Sequence, residues 1–481
     1  MNRKMVFFLT GRIVLLEGAL LLVPLIVSLI YRDAGMVPFL ITIGICAAFG
    51  GLLSQIFRKH SPVIFAKEGF LITALAWVLL SAIGALPFVI SREIPNYIDA
   101  FFETVSGFTT TGASIVSNVE SMSHSILFWR SFTHWMGGMG VLVLMVAVMP
   151  NLPGRTIHVL RAEMPGPTMG KLVPKLRDTA KILYYLYFLL TLMEFVLLLC
   201  GGMPLFDSAI HALGTAGTGG FGIKSDSIAS YSPYLQWVIA AFMMLFGVNF
   251  NLYYLLLLRR FRSVFRSEEL WTYITVVLAA TGLIAWNIYP LYRNLAETTR
   301  TAFFQVNTVV STTGFATADF DQWPVLSKTV LVLLMFMGGC AGSTAGGFKV
   351  SRLVMLFKSI RRELRRLLHP RTVSVVRFEG KAVDDATLNS VSTYLSLYIG
   401  LFVIILFIVS FQPGFNFLSN FTAVASCFNN IGPGLDLVGP TKNFAAYQPF
   451  FKVVLSFAML FGRLEIYPML ISMSPSTWTR K

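Results

Sequence analysis

DAFFETVSGFTTTG, Asp99 to Gly112, decides the fold, because the chain repeats its pattern. Registered on the final glycine, three more segments match it without a gap: DSAIHALGTAGTGG (Asp207 to Gly220), TAFFQVNTVVSTTG (Thr301 to Gly314) and SNFTAVASCFNNIG (Ser419 to Gly432). Such a repeat is read before any other signal, since overlooking it misassigns the whole architecture. Each copy opens on Asp99, Asp207, Thr301 or Ser419, residue types that accept a backbone N–H bond at a helix N-terminus. The pattern predicts a short helix starting at that cap and running about ten residues, half of the roughly 20 needed to cross hydrocarbon. Each segment therefore enters and turns back. Backbone that leaves the helix at membrane depth is tolerated only where protein buries it or water lines it. The polar stretch after each helix is predicted to face a cavity.

The surroundings are membrane-like: 55% of 481 residues are hydrophobic, 13% are charged, and mean hydropathy is +0.70. The first apolar run, VFFLTGRIVLLEGALLLVPLIVSLI, is too long for a signal peptide, lacks a small-residue cleavage site, and is followed by a second span near Val37 to Phe57. The net charge of +15 sits in short connectors: RKHSPVIFAK, PNLPGRTIHVLRAEMPGPTMGKLVPKLRDTAK, RRFRSVFRSEE and KVSRLVMLFKSIRRELRRLLHPRTVSVVRFEGK. This is the positive-inside pattern, so these face the cytoplasm and no nucleic-acid partner is implied. SREIPNYIDA, CGGMPLFDS, NIYPLYRNLAETT and QPGFN face outside. Between inside loops the order is a full span, a short amphiphilic segment, a Gly-containing polar stretch, an acidic loop and a second full span. The expected fold is an all-α polytopic membrane protein. Residues 1–60 form two extra transmembrane helices, and 61–160, 161–262, 263–370 and 371–481 form four span–pore-loop–span repeats.

The C-terminal end of a helix carries the negative pole of its dipole, so four short helices pointing inward favour a cation beyond their ends. Backbone carbonyls and hydroxyls of Thr110, Thr111 and Gly112, of Thr218, Gly219 and Gly220, of Thr312, Thr313 and Gly314, and of Asn430, Ile431 and Gly432 are the expected ligands of a dehydrated ion. Glu120, Asp226, Asp319, Asp321 and Asp436 follow these stretches and are expected to concentrate cations at one mouth, opposed by Lys224 and Lys442.

MGGCAGSTAGGFKVSR, Met337 to Arg352, interrupts the second span of the third copy and is unlike its counterparts. Gly338, Gly342 and Gly346 fit close helix packing. Clustered with Gly339, Ser343, Thr344, Gly347 and Lys349, they also fit an unwound plug below the filter, which is the reading adopted. Arg463, deep in the last span, pairs with Glu465, although a spacing of two does not align on a helix, or stands near the pore, where it sets an electrostatic barrier or anchors the plug, which is the preferred reading. Glu17 and Glu194 are read as buried partners of polar groups, and Asn249 and Asn251 as bonds between helices. Cys46, Cys200, Cys340 and Cys427 are read as small packing residues. GTGGFG at 217–222 has no βαβ context, and GSTAGGFK at 342–349 lacks the adjacent Gly-Lys-Ser/Thr of a nucleotide loop. His60, His124, His134, His158, His211 and His369 show no metal-ligand spacing, and no catalytic constellation supports an enzyme.

At these residues, with GGCAGSTAGGFKVSR and GRLEIYP, the chain resembles the TrkH/KtrB superfamily of potassium uptake proteins over essentially its whole length. It is closest to the TrkH branch, because two extra spans precede the first unit. The resemblance implies a pseudo-fourfold K⁺ pore in one polypeptide, a homodimer in a bacterial inner membrane, and no organic cofactor. It assigns Gly112, Gly220, Gly314 and Gly432 to the ion path, Gly338 to Gly347 to a gating loop, and Arg463 to the pore. It implies a cytosolic TrkA-like nucleotide-binding subunit, for which SIRRELRRLLHPR is a docking candidate beside simple anchoring to anionic lipid. Glycine at all four filter positions resembles the potassium type. Two other readings are a K⁺/H⁺ or K⁺/Na⁺ symporter, which needs an ionisable residue in the ion path and has Glu194 and Glu17 as its weak candidates, and more remotely a membrane-embedded enzyme or scaffold.

Overall fold

The computed structural model describes residues 2–58, 66–140, 176–371 and 374–478. Most of the connectors RKHSPVIFAK and PNLPGRTIHVLRAEMPGPTMGKLVPKLRDTAK, and the end of the first repeat's second span, lie outside these residues.

Among the described residues six helices are long and apolar enough to cross a membrane: Arg3–Tyr31, Met36–Ile56, Ala66–Ile90, Asp178–Cys200, Glu268–Tyr292 and Asp385–Val409. Ile41, Leu278, Trp286, Val403 and Phe407 are exposed on them, as surfaces solvated by lipid allow. The first two cross at small residues. A methyl group on Gly11 would stand 2.9 Å from the Gly50 carbonyl oxygen, and one on Gly18 would stand 2.8 Å from Cys46 Cβ. Cys46, Cys340 and Cys427 are buried, whereas Cys200 is exposed. One departure from all-helical structure is a hairpin of Arg377–Phe378 with Lys381–Ala382. Its Glu379 accepts from the Glu269 amide at 3.1 Å, capping the helix Glu268–Tyr292.

Each of the other four long helices leads to a short one: Tyr97–Phe108, Leu205–Gly217, Leu295–Val310 and Phe417–Asn429. They hold 12 to 16 residues, and at about 1.5 Å per residue none crosses a hydrocarbon core about 30 Å thick. The caps differ from expectation. Asn96, Asn294 and Asn416 accept the first amides, while Pro204 opens the second helix without a side-chain cap. Asp99, Asp207, Thr301 and Ser419 lie inside the helices, where the backbone is no longer extended enough to cap. Three of them tie the helix outward instead. Asp99 takes Lys452 Nζ at 2.6 Å, Asp207 takes the Tyr231 hydroxyl at 2.7 Å, and Ser419 donates to Asp436 at 2.5 Å.

The returning helices are His124–Gly138, Pro233–Phe246, Val325–Met335 and Pro449–Arg463, of 15, 14, 11 and 15 residues. Among the described residues they are shorter than the predicted second full spans, and the second is bent by 92° against Phe250–Leu257. The four breaks meet. Cys340 N–H donates to the Gly247 carbonyl at 2.9 Å, and Arg463 joins the carbonyls of Gly138 and Thr344 at 2.5 and 2.8 Å. The stretch 338–347 thus has counterparts where the other returning helices end, and among the described residues it is longer than those at 247–249 and 464–466.

A buried ion pair holds the chain after the first short helix. Glu103 accepts from Arg130 Nε at 2.9 Å, from the Ser114 hydroxyl at 2.9 Å and from the Ile115 amide at 2.9 Å. Removing the cation alone strands a buried carboxylate, a loss of about 3–5 kcal/mol. R130M should therefore melt well below wild type in detergent, and the double variant E103Q/R130M should recover part of the loss. A double variant no better than R130M would contradict the pairing as the source of stability.

Candidate functional site

The four short helices end identically. Thr110, Thr218, Thr312 and Asn430 adopt left-handed backbone at φ +55 to +57°, and Gly112, Gly220, Gly314 and Gly432 follow at +77 to +102°. A left-handed residue closes a helix by satisfying its last carbonyls, and a positive φ two residues later is readily adopted only by glycine. The glycines then pack on one another in a cycle. A methyl on Gly112 would stand 2.1 Å from the Gly219 carbonyl oxygen, on Gly220 2.1 Å from that of Thr313, on Gly314 2.2 Å from that of Ile431, and on Gly432 2.9 Å from that of Thr111. Each quarter thus abuts the carbonyl preceding the next quarter's glycine, and the fourth closes on the first. All four glycines line one cavity.

Behind the ring, side chains brace the backbone. Asn430 Nδ2 donates to Thr111 Oγ1 at 2.9 Å, Thr111 to Thr109 at 2.8 Å, and Thr109 to the Val105 carbonyl at 2.6 Å. In the third quarter Thr313 pairs with Ser311 at 2.7 Å. The Thr111 and Thr313 hydroxyls are engaged in this bracing. Thr218 bonds the Gly217 carbonyl at 2.6 Å, and the Thr110 hydroxyl is buried with no hydrogen-bond partner among the described residues.

A second cavity is lined by Gly138, Gly342, Ser343, Gly346, Lys349 and Arg463. The loop sits against the third quarter, because Gly346 N–H donates to Thr312 Oγ1 at 2.7 Å, and a methyl on Gly346 would stand 2.6 Å from the Asn429 carbonyl. Gly338, Gly342 and Gly347 have φ of +71, +71 and +75°, and Gly339 would meet Ala345 Cβ at 2.7 Å, so the segment is non-helical and tightly folded. Glu269 accepts from the amides of Ala341 at 2.7 Å and Ser351 at 3.1 Å. Buried Lys349 donates to the Ala345 carbonyl within the loop. Thr344 donates to the Phe246 carbonyl at 3.2 Å. Arg463 does not pair with Glu465, which binds Arg352 instead. It donates to the carbonyls of Thr344, Gly137 and Gly138, tying the loop to the first returning helix.

Three expectations change. None of Glu120, Asp226, Asp319, Asp321 and Asp436 lines the cavity at the four glycines, whose charged lining is Arg130, Lys224 and Lys442. The carboxylates staple loops: Glu120 accepts the Ser225 amide at 3.1 Å, and Asp319 that of Asp321 at 3.2 Å. The Ser419 hydroxyl holds the Asp436 carboxyl below its ordinary range. Glu17 is buried with neither oxygen hydrogen-bonded among the described residues, and Glu194 lies beside Thr215, whose hydroxyl is given to the His211 carbonyl. Asn249 caps its own helix, accepting the Asn251 amide at 3.0 Å. Glu103, Glu269 and His134, which sequence reasoning missed, are buried polar groups in apolar helices, and that signal alone pointed to them.

Residues 36–480 match the TrkH family, described as cation transport proteins. The chain is 38% identical over 487 residues to the Trk system potassium uptake protein TrkH of Salmonella typhimurium, spanning 99% of this chain and 100% of that one. It is 35% identical over 484 residues to the Trk system potassium uptake protein TrkG of Escherichia coli K12, spanning 99% and 98%. It superposes with a TM-score of 0.89 on the crystal structure of the potassium transporter TrkH from Vibrio parahaemolyticus, at 32% identity and 100% of both chains. With apolar spans, a shared fold and similarity over nearly the full length, the chain belongs to the TrkH family of multi-pass membrane cation transport proteins.

Proposed function

We propose that this protein takes up potassium selectively through the ring of Gly112, Gly220, Gly314 and Gly432. The observation that carries the reading is the cyclic closure: the carbonyls of Thr111, Gly219, Thr313 and Ile431 each lie against the next glycine. Four carbonyls at the negative ends of four helices replace part of an ion's hydration shell. The engaged hydroxyls of Thr111, Thr218 and Thr313 leave backbone oxygen as the ligand those quarters share, and the names of the TrkH and TrkG relatives support K⁺ as the ion. Uptake follows the membrane potential, worth about 2.3 kcal/mol per charge per 100 mV.

The loop of Gly338, Gly339, Gly342, Ser343, Thr344, Gly346 and Gly347, with Lys349, is the gate, and Arg463 is its latch. Helix Val350–Leu368 continues directly from it and carries Arg361, Arg362, Arg365 and Arg366. A cytosolic TrkA-like nucleotide-binding subunit docking on this basic helix in a homodimer would move the loop through the shared backbone. Coupled symport would need an ionisable group bordering the ring. Glu17 and Glu194, the candidates from sequence, stand on other helices, and neither lines the cavity of the four glycines.

In liposomes, voltage-following flux that prefers K⁺ over Na⁺ at several external pH values supports the reading. Flux that ceases without a proton or sodium gradient transfers the ring to a symporter. Alanine at Gly112, Gly220 or Gly314 should abolish K⁺ uptake, while alanine at Gly432, where the opposing carbonyl stands at 2.9 Å, should leave residual uptake. Equal activity in all four variants would contradict the ring geometry. R463A removes charge-assisted bonds worth about 1.5–3 kcal/mol each, and should raise basal K⁺ flux about tenfold or more. Unchanged flux from folded R463A would remove the latch.

A further inference from the structure

We infer that His134 is a positioning residue that sets ion preference in the second quarter of the ring; the inference rests on the ring being the ion path. Three quarters are braced from within or by a neighbouring filter stretch, through Thr109 with Thr111, Ser311 with Thr313, and Asn430 with Thr111. The second quarter has Gly217 and Gly219 at the positions of the hydroxyl pair and, among the described residues, carries no such brace, Thr218 bonding only the adjacent Gly217 carbonyl.

The reason lies in the returning helix of the first repeat, His124–Gly138, which presses on this quarter. A methyl on Gly217 would stand 2.4 Å from the His134 carbonyl oxygen, so a serine or threonine there has no room. The imidazole fills the remaining space. A methyl on Gly219 would stand 2.1 Å from His134 Cγ and 2.2 Å from Nδ1. It is the Gly219 carbonyl that faces Gly112 across the ring.

The ring is fully buried and its nitrogens face opposite groups. Nδ1 lies 2.8 Å from the Gly107 carbonyl, and the Phe221 amide donates to Nε2 at 3.3 Å. Only neutral imidazole with its proton on Nδ1 serves both partners. His134 therefore links the first short helix to the residue after Gly220, with Gly219 held between. Phe221 is clasped in turn, its ring centroid 4.2 Å from that of His134 and its face 4.1 Å from the Arg130 guanidinium. Without the imidazole, Gly219 is free to relax backward and the Phe221 amide is left unpaired, which loosens one carbonyl of four.

The test is the K⁺-to-Na⁺ flux ratio of the full chain in liposomes, for wild type, H134A, H134F and H134Q, each first shown by thermal melting to be folded. H134A and H134F remove both polar contacts, and H134F keeps ring volume. The ratio should fall about tenfold in both, the scale of one buried hydrogen bond left unmade. H134Q, whose amide supplies a donor and an acceptor, should retain more of it. A merely structural role would lower both fluxes together and leave the ratio unchanged. If one of H134A and H134F fails to fold, the other carries the test. A wild-type ratio in either folded variant overturns the role of His134. Absence of K⁺ preference in wild type would instead overturn the ring as ion path, and this inference with it.

Discussion

Everything in this structure depends on bringing four peptide carbonyls against four α-carbons that carry no side chain. That contact demands positive φ and a missing Cβ together, and glycine alone meets both without strain. At Gly112, Gly220 and Gly314 a Cβ would stand 2.1 to 2.2 Å from the opposing oxygen, far inside contact distance. The short helices, their left-handed ends and the small-residue breaks all follow from the need to deliver backbone to one axis without leaving buried polar groups unpaired.

The closure is cyclic and the support is not. Hydroxyl pairs brace the first and third quarters, an imidazole from a neighbouring repeat braces the second, and Asn430 reaches from the fourth into the first. Among the described residues only the third returning helix opens into a long glycine-rich loop, and that loop touches the ring through Thr312. A single chain with four unequal repeats can place such a loop against one quarter, where the gate proposed above would act. Four identical subunits would place the same loop in every quarter. The inequality is what lets Arg463 join the breaks of the first, third and fourth repeats with one guanidinium.

Much of this was legible in the sequence. Aligning DAFFETVSGFTTTG with its three counterparts put Thr110, Thr218, Thr312 and Asn430 in one column and the ring glycines in another, and both columns share a backbone conformation. The caps were misplaced because they precede the aligned segments: Asn96 and Asn416 stand in one column, but that column holds Pro204 in the second copy and the third copy caps earlier, at Asn294, while the aligned Asp99 and Asp207 bond Lys452 and Tyr231 instead. The returning spans read as continuous because hydropathy runs unbroken through stretches such as AFMMLFGVNFNLYY, whereas the break at Gly247 depends on Cys340 from the next repeat. Counting carboxylates at the mouth predicted a cation-attracting rim, but charge counts do not reveal which acids are occupied by loop amides. His134 was passed over as a non-ligand, since its partners lie 27 and 87 residues away and become neighbours only after folding.

The most direct test of the account is to locate the ion. Crystals of the protein grown with Rb⁺ in place of K⁺ should give an anomalous peak on the axis of the ring, bounded by the carbonyl oxygens of Thr111, Gly219, Thr313 and Ile431. A peak held instead by side-chain oxygens outside the ring, with the four carbonyls turned away from any ion, would contradict it.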